Sequence, residues 1–143
     1  MDSQNPTVKI VIKGHKVHGC IIDGGSGVHV ISEVTCHNLG LTQWESCPFC
    51  LRMADMRLVQ LIGLIQNLEF ILGGHTFTVS AIVLRLDAPG AYPLLLGRLW
   101  LRTANIKQHW RHNTISFCRG KKKFLIITEE RITTLPRQQS SIC

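Results

Sequence analysis

Asp23 closes the apolar run Cys20-Ile21-Ile22 and is followed at once by Gly24, Gly25, Ser26 and Gly27. A carboxylate delivered to the end of a buried strand loses hydration unless donors meet it. Small residues beside it let backbone N–H groups fold toward its oxygens, and a serine adds a hydroxyl. One such aspartate is a base or a ligand. Two brought together share a proton and split their apparent pKa values, so the pair can activate a water and protonate a leaving group. The chain carries one turn of this kind, so a pair requires a homodimer with the site on its two-fold axis.

A phosphate loop is the competing use of such glycines. A dinucleotide loop needs Gly-x-Gly-x-x-Gly opening a helix whose N-terminus receives the pyrophosphate. Here Gly25-Ser26-Gly27 runs into Val28-His29-Val30, with valine where the third glycine belongs and a β-branched start unsuited to a helix. The Gly-Lys-Ser/Thr of a Walker loop is absent. Asp before Gly is also an ordinary turn pair, so Asp23 taken alone reads as a turn cap. Cys47-Pro-Phe-Cys50 has neither a βαβ pattern around it nor a second Cys pair to complete a zinc site. His15/His18 and His109/His112 have a spacing that does not converge ligands in strands or loops. Surface histidines, loop cysteines, no metal and no organic cofactor are therefore expected. Trp100 and Trp110 are read as core fillers.

The elements that must position Asp23 are mostly strands. VKIVIKG (8–14) alternates Val8, Ile10 and Ile12 against Lys9 and Lys13, the period of a half-buried strand. A turn at Gly14-His15-Lys16 leads into VHGCIID (17–23), and VHVI (28–31) follows the glycine turn. SEVTCHNLG (32–40) carries an N-cap serine, an acidic first turn and a closing glycine, the marks of a short helix. Residues 47–84 give several strands, with a hairpin tip at 54–57 and a second turn at Gly73-Gly74-His75. PLLLG (93–97) is a short apolar strand, RLWLRTAN (98–105) a helical turn or two, and NTISF (113–117) and KFLIIT (123–128) are later strands. Many short strands and two short helices predict an all-β chain, closed or sandwich-like.

At 143 residues, with 45% hydrophobic and 17% charged side chains, the chain suits one globular domain. Aromatics are 6%, so an aliphatic core is expected. The 16 Lys+Arg against 9 Asp+Glu give a net charge of +7. That balance admits nucleic acid without indicating it, and the densest run, Lys121-Lys122-Lys123, reads as a solvated turn. MDSQNPTVKI has no apolar signal core, and no run is long enough to cross a bilayer. An intracellular, cytoplasmic chain with its six cysteines as free thiols is expected.

IIDGGSGVHVIS resembles the hydrophobic-hydrophobic-Asp-Thr/Ser-Gly-Ala segment of retropepsin-like aspartic peptidases, above all those of Ty3/gypsy-type long-terminal-repeat retroelements. SEVTCHNLGL is similar to the short helix that follows it, and residues 51–84 to the flap hairpin and its two succeeding strands. LLLGRLWLRTANI is similar to the hydrophobic-hydrophobic-Gly motif and helix under the catalytic loop, and HWRHNTISF to the closing strand. The resemblance implies a retropepsin-like barrel over 7–118, with a tail at 1–6 and a C-terminal strand and polar tail at 119–143. It implies Asp23 as the catalytic aspartate, Gly25 as the triplet glycine and Ser26 as orienting the outer carboxylate oxygen. Leu95, Leu96, Gly97 and Arg98 would support the loop, Arg98 facing either solvent or a partner carboxylate. Ala54, Asp55 and Met56 would lie near the flap tip. A homodimer cleaving extended peptide or polyprotein is implied. Gly24 stands where the family has Thr or Ser, whose hydroxyl bonds across the dimer. That departure leaves a second reading open, the same fold as a peptide-binding or dimerising module.

Overall fold

The computed structural model describes residues 5–46, 51–52, 58–59, 61–86 and 91–129. Strand β1 (Thr7–Ile12) buries Val8, Ile10 and Ile12 and exposes Lys9. It turns into β2 (His15–Ile22) through Lys13 and Gly14, both at positive φ (51° and 80°). Two such residues make the twist-matched hairpin turn. The turn therefore sits one residue before the stretch expected from sequence, and His15 and Lys16 belong to the strand. β3 (His29–Ser32) feeds α1 (Glu33–Asn38), whose cap is as expected: the Thr35 N–H donates to Ser32 Oγ at 3.1 Å.

β4 (Leu51–Arg52) and β5 (Leu58–Val59) pair antiparallel in a small sheet of their own. The expected flap residues Ala54, Asp55 and Met56 between them lie outside the described residues, as do Cys47 and Cys50. β6 (Leu61–Leu72) and β7 (His75–Leu84) form the longest hairpin, turned by Gly73 and Gly74 at φ 58° and 82°. β8 (Leu94–Leu96) leads into α2 (Arg98–Thr103). NTISF is a strand as expected, but HWRHNTISF, similar as a whole to a closing strand, is not continuous. β9 (Lys107–His109) and a 3-10 turn (Trp110–His112) precede β10 (Thr114–Arg119), because Asn113 takes the left-handed conformation at φ 52°. β11 (Lys122–Ile127) completes a three-stranded sheet in the order β11-β10-β9.

The remaining strands close a barrel in the order β1-β2-β8-β3-β7-β6. β8 lies between β2, which it meets in parallel, and β3, which it meets antiparallel. β3 runs parallel to β7. Strands in such a position are covered on both faces and read as continuous apolar runs. Their alternation divides the interior. Cys20, Ile22, Ile31, Ala81, Val83, Leu94 and Leu96 join the main core, whereas Ile21, Val30, Ile82, Leu84 and Leu95 form a second cluster with Tyr92.

The aliphatic core expected from composition is only part of the interior. Phe70 and Phe77 stack at 5.6 Å, and Trp100 meets them edge-on at 5.6 and 5.5 Å. Phe117 joins Phe77 at 5.3 Å and Phe124 at 5.7 Å, so this aromatic group ties the three-stranded sheet and α2 to the barrel. Phe124 and Ile126 pack on the main core. Beyond them the Glu129 N–H donates to Thr7 O at 2.8 Å, while its Oε1 accepts from the Gly19 N–H at 2.8 Å. Trp100 is a core residue as expected, but Trp110 is 63% exposed because it opens the 3-10 turn. Burial raises the Cys20 thiol to about 12, with a smaller push from Glu129. Burial, then Glu33, raises Cys36 to about 11, so both thiols are inert at neutral pH. No described helix is long and apolar enough to cross a membrane.

Trp100 Nε1 is buried and finds no acceptor among the described residues. Trp100→Ala is expected to cost about 3–5 kcal/mol by emptying the aromatic junction. Trp100→Phe removes an unsatisfied donor along with ring volume, and is expected to stay within about 1.5 kcal/mol of the parent. Denaturant unfolding of both variants measures the difference.

Candidate active site

The candidate site is a short turn that three structural elements hold from behind. Asp23 leaves β2 half-buried, and its backbone N–H donates to Leu96 O at 3.0 Å, extending the β2–β8 pairing by one residue. The chain then reverses. The Gly25 N–H donates to Asp23 Oδ1 at 2.9 Å, and the Ser26 N–H to Asp23 O at 3.2 Å. Those two bonds alone are those of an Asx turn, the ordinary reading of Asp-Gly. The support behind the turn is what sets it apart.

Gly97 supplies that support by having no side chain. A Cβ there would stand 2.5 Å from Val28 O and 2.7 Å from Ser26 O, closer than any real contact. The peptide of Gly97 therefore presses directly on the loop. The Arg98 N–H donates to Ser26 O at 2.8 Å, and the Gly97 N–H to His29 Nδ1 at 2.9 Å. Leu96, Gly97 and Arg98 thus each contribute a backbone group to the segment 23–29. Leu95 faces the other way, 4% exposed in the cluster with Tyr92.

The remaining expected site residues fall as follows. Ser26 Oγ donates to Val28 O at 2.8 Å and accepts from the Val28 N–H at 3.3 Å. Its hydroxyl is engaged with the backbone of its own loop, and the donor to the Asp23 carboxylate is the Gly25 amide instead. Gly24 is exposed, and a Cβ there would meet only Leu101 Cδ1, at 3.6 Å. Arg98 is exposed, its guanidinium lying 3.7 Å from where a Gly27 Cβ would stand. Of the histidine pairs, His18 bonds to Glu129 and His109 Nε2 to Ser116 Oγ at 2.9 Å, so each faces a different neighbour.

Asp23, Gly24 and Gly25 open onto a cleft of about 570 Å³, lined also by Asn5, Leu101, Ile106, Gln108 and Trp110. Two further residues attend the site and escaped the sequence. Tyr92 is buried, and burial followed by the negative charge of Asp23 raises its hydroxyl above the usual value. It is the chain's single tyrosine and stands just before the Leu94–Leu96 run, the one signal that marks it. His29 is 6% exposed, and burial lowers its pKa below the usual 6.5. A lone polar residue between Val28 and Val30, at a buried register, was its signal.

Barrel order, turn and supporting glycine together define a retropepsin-like acid-protease fold, all-β with two short helices. Among solved structures the chain is similar to the retroviral protease-like domain of Ddi1 from Leishmania major. The TM-score is 0.72 at 15% identity, over 90% of this chain and 97% of that one. It is also similar to EIAV protease complexed with the inhibitor HBY-793, with a TM-score of 0.56 at 14% identity, over 72% and 90%. No family model and no curated protein matches the sequence.

Gly97→Ala is expected to destabilise the fold by about 1–3 kcal/mol or more, because backbone oxygens cannot yield to the methyl group. Gly24→Ser makes only an ordinary van der Waals contact, with Leu101, at an unstrained φ and is expected to be neutral or to stabilise by up to about 1 kcal/mol. Thermal unfolding of the two variants separates the glycine that the fold requires from the one that it does not.

Proposed function

We propose that this chain is an aspartic endopeptidase domain of Ty3/gypsy-type retroelement origin, acting as a homodimer on extended peptide or polyprotein. One Asp23 from each copy forms the pair. A water held between the two carboxylates loses a proton to one aspartate and attacks the scissile carbonyl carbon. The other aspartate gives its proton to the leaving amine as the C–N bond breaks. Extended substrate lies as a strand between this floor and the residues around 54–56. Arg98, exposed beside the loop, pairs in this reading with a carboxylate of the partner copy. An intracellular compartment suits a chain with free Cys20, Cys36 and Cys118.

The observation that carries this reading is the bracing of Asp23. A turn that only capped a strand has no need of a strand, a glycine peptide and a helix start behind it, nor of a cleft in front. One observation favours the second reading, a peptide-binding or dimerising module without chemistry. Gly24 offers no hydroxyl to lock one catalytic turn to its partner, so the two turns are held less firmly.

Cleavage of a peptide library between about pH 4 and about pH 8 decides between them. The wild type is expected to cleave, and Asp23→Asn to lose at least about a hundredfold in kcat, the usual weight of acid–base chemistry. If both proteins are equally inert while folded and dimeric by sedimentation, the enzyme reading fails and the module reading stands. Gly24→Thr in an active wild type is expected to tighten the dimer and raise activity at low protein concentration.

A further inference from the structure

The catalytic reading of Asp23 leaves one buried ionisable group beside the site unused. His29 lies at the start of β3, and its Nδ1 accepts from the Gly97 N–H at 2.9 Å. A ring nitrogen that accepts carries no proton, so the neutral ring keeps its hydrogen on Nε2. The Cα of Gly97 lies so close to the loop that a Cβ there would run into Val28 O and Ser26 O, while Leu96 O on one side takes the Asp23 N–H and the Arg98 N–H on the other reaches Ser26 O. The His29 ring is thus the central rung of three. It is also the only one of them made by a side chain, and the only one whose bond a proton can abolish.

The surroundings offer an imidazolium little. β7 places Ala81 opposite His29, and its titratable residue is His75 at the far end of the strand. β8 is Leu94–Leu96 and has no charge. α1 brings Cys36, His37 and Glu33, the last bonded to Arg85, beyond the other end of β3. The loop carries Asp23, and α2 carries the exposed Arg98 and Arg102. The net result is desolvation alone, uncompensated by these charges.

We infer that His29 is a positioning residue for the Asp23 turn, its neutral ring clamping the Gly97 amide so that β8 and α2 hold the turn in place, and that protonating the ring releases the clamp. The direction follows from burial. Above the usual 6.5 the ring is neutral in folded and unfolded chains alike, and the clamp contributes fully. As the pH falls through that value the unfolded chain takes up a proton that the folded chain refuses, so stability declines. Below the folded-state pKa the ring is protonated in place, and an N–H faces the Gly97 N–H. Among the described residues, the two carboxylates that the fold holds low, Glu33 and Glu129, weaken it only at more acidic pH, within and below the carboxylate range.

For activity this inference rests on Asp23 being catalytic; the clamp itself does not. His29→Asn sets an amide oxygen near the place of Nδ1 and never titrates, whereas His29→Leu offers no acceptor. Melting temperature is measured for the full chain and both variants between about pH 7.5 and about pH 5.5. The wild type is expected to lose melting temperature over this window, His29→Asn to stay nearly flat, and His29→Leu to be low throughout. In the peptide assay the acid limb of the wild-type kcat profile moves down by about one pH unit or more in His29→Asn. Equal slopes for wild type and His29→Asn overturn the clamp. Should His29→Asn not fold, ¹⁵N NMR of the wild type decides. A Gly97 amide that shifts with the His29 midpoint supports the clamp, and one indifferent to it overturns the proposal. If wild type and Asp23→Asn are both inert, the enzyme reading falls while melting and NMR still judge the clamp.

Discussion

Everything at the site depends on the placement of Leu94–Leu96 between β2 and β3. The strand has three residues, so it cannot hold its place through many ladder bonds. Burial on both faces holds it instead: Leu94 and Leu96 enter the main core and Leu95 the second cluster, each 4% exposed or less. Because β8 pairs with the end of β2, its last carbonyl is where the Asp23 amide must find its acceptor. Because it also pairs with β3, the residue after it arrives against Ser26 and Val28, and only glycine can arrive there. A single buried strand therefore fixes both ends of the turn.

The electrostatics follow from the same packing. The turn faces an open cleft on one side and a dry cluster on the other. The Asp23 carboxylate receives one backbone donor and stays half-exposed. Its charge is nonetheless felt by the buried Tyr92 hydroxyl, and desolvation keeps the His29 ring neutral. Low-dielectric surroundings behind a wet carboxylate make the groups there sensitive to its charge without themselves being in the cleft.

Much of this was legible beforehand, for reasons that differ by element. Val8, Ile10 and Ile12 alternate with exposed or half-buried neighbours, so β1 announces its period; Ser32 and Glu33 announce a helix start. The apolar runs Cys20–Ile22 at the end of β2 and Leu94–Leu96 in β8 are equally visible as segments buried on both faces. Where reading failed, a local choice was settled by conformation rather than by hydrophobicity. Asn113 accepts the left-handed region, so within HWRHNTISF a 3-10 turn precedes the strand that NTISF predicts, and Lys13 shares that region with Gly14, moving the first turn by one residue. Trp110 shows the limit of composition: a tryptophan reads as core, yet the turn that it opens leaves it outside.

The sequence by itself determined the elements and the chemistry on offer, because periodicity, caps and an Asp-Gly-Gly turn are local properties of neighbouring residues. It also marked LLLG as the partner of that turn, by resemblance. What it could not determine is which groups meet across the gap of roughly seventy residues between them. Closing a barrel brings Gly97 onto Ser26 and Val28, and gives its amide to His29 rather than to Ser26. It likewise hands the Asp23 carboxylate to the Gly25 amide and engages the serine hydroxyl with Val28. Hydrogen-bond partners at a crowded crossing are assigned by distance and direction, which exist only once the strands are in register.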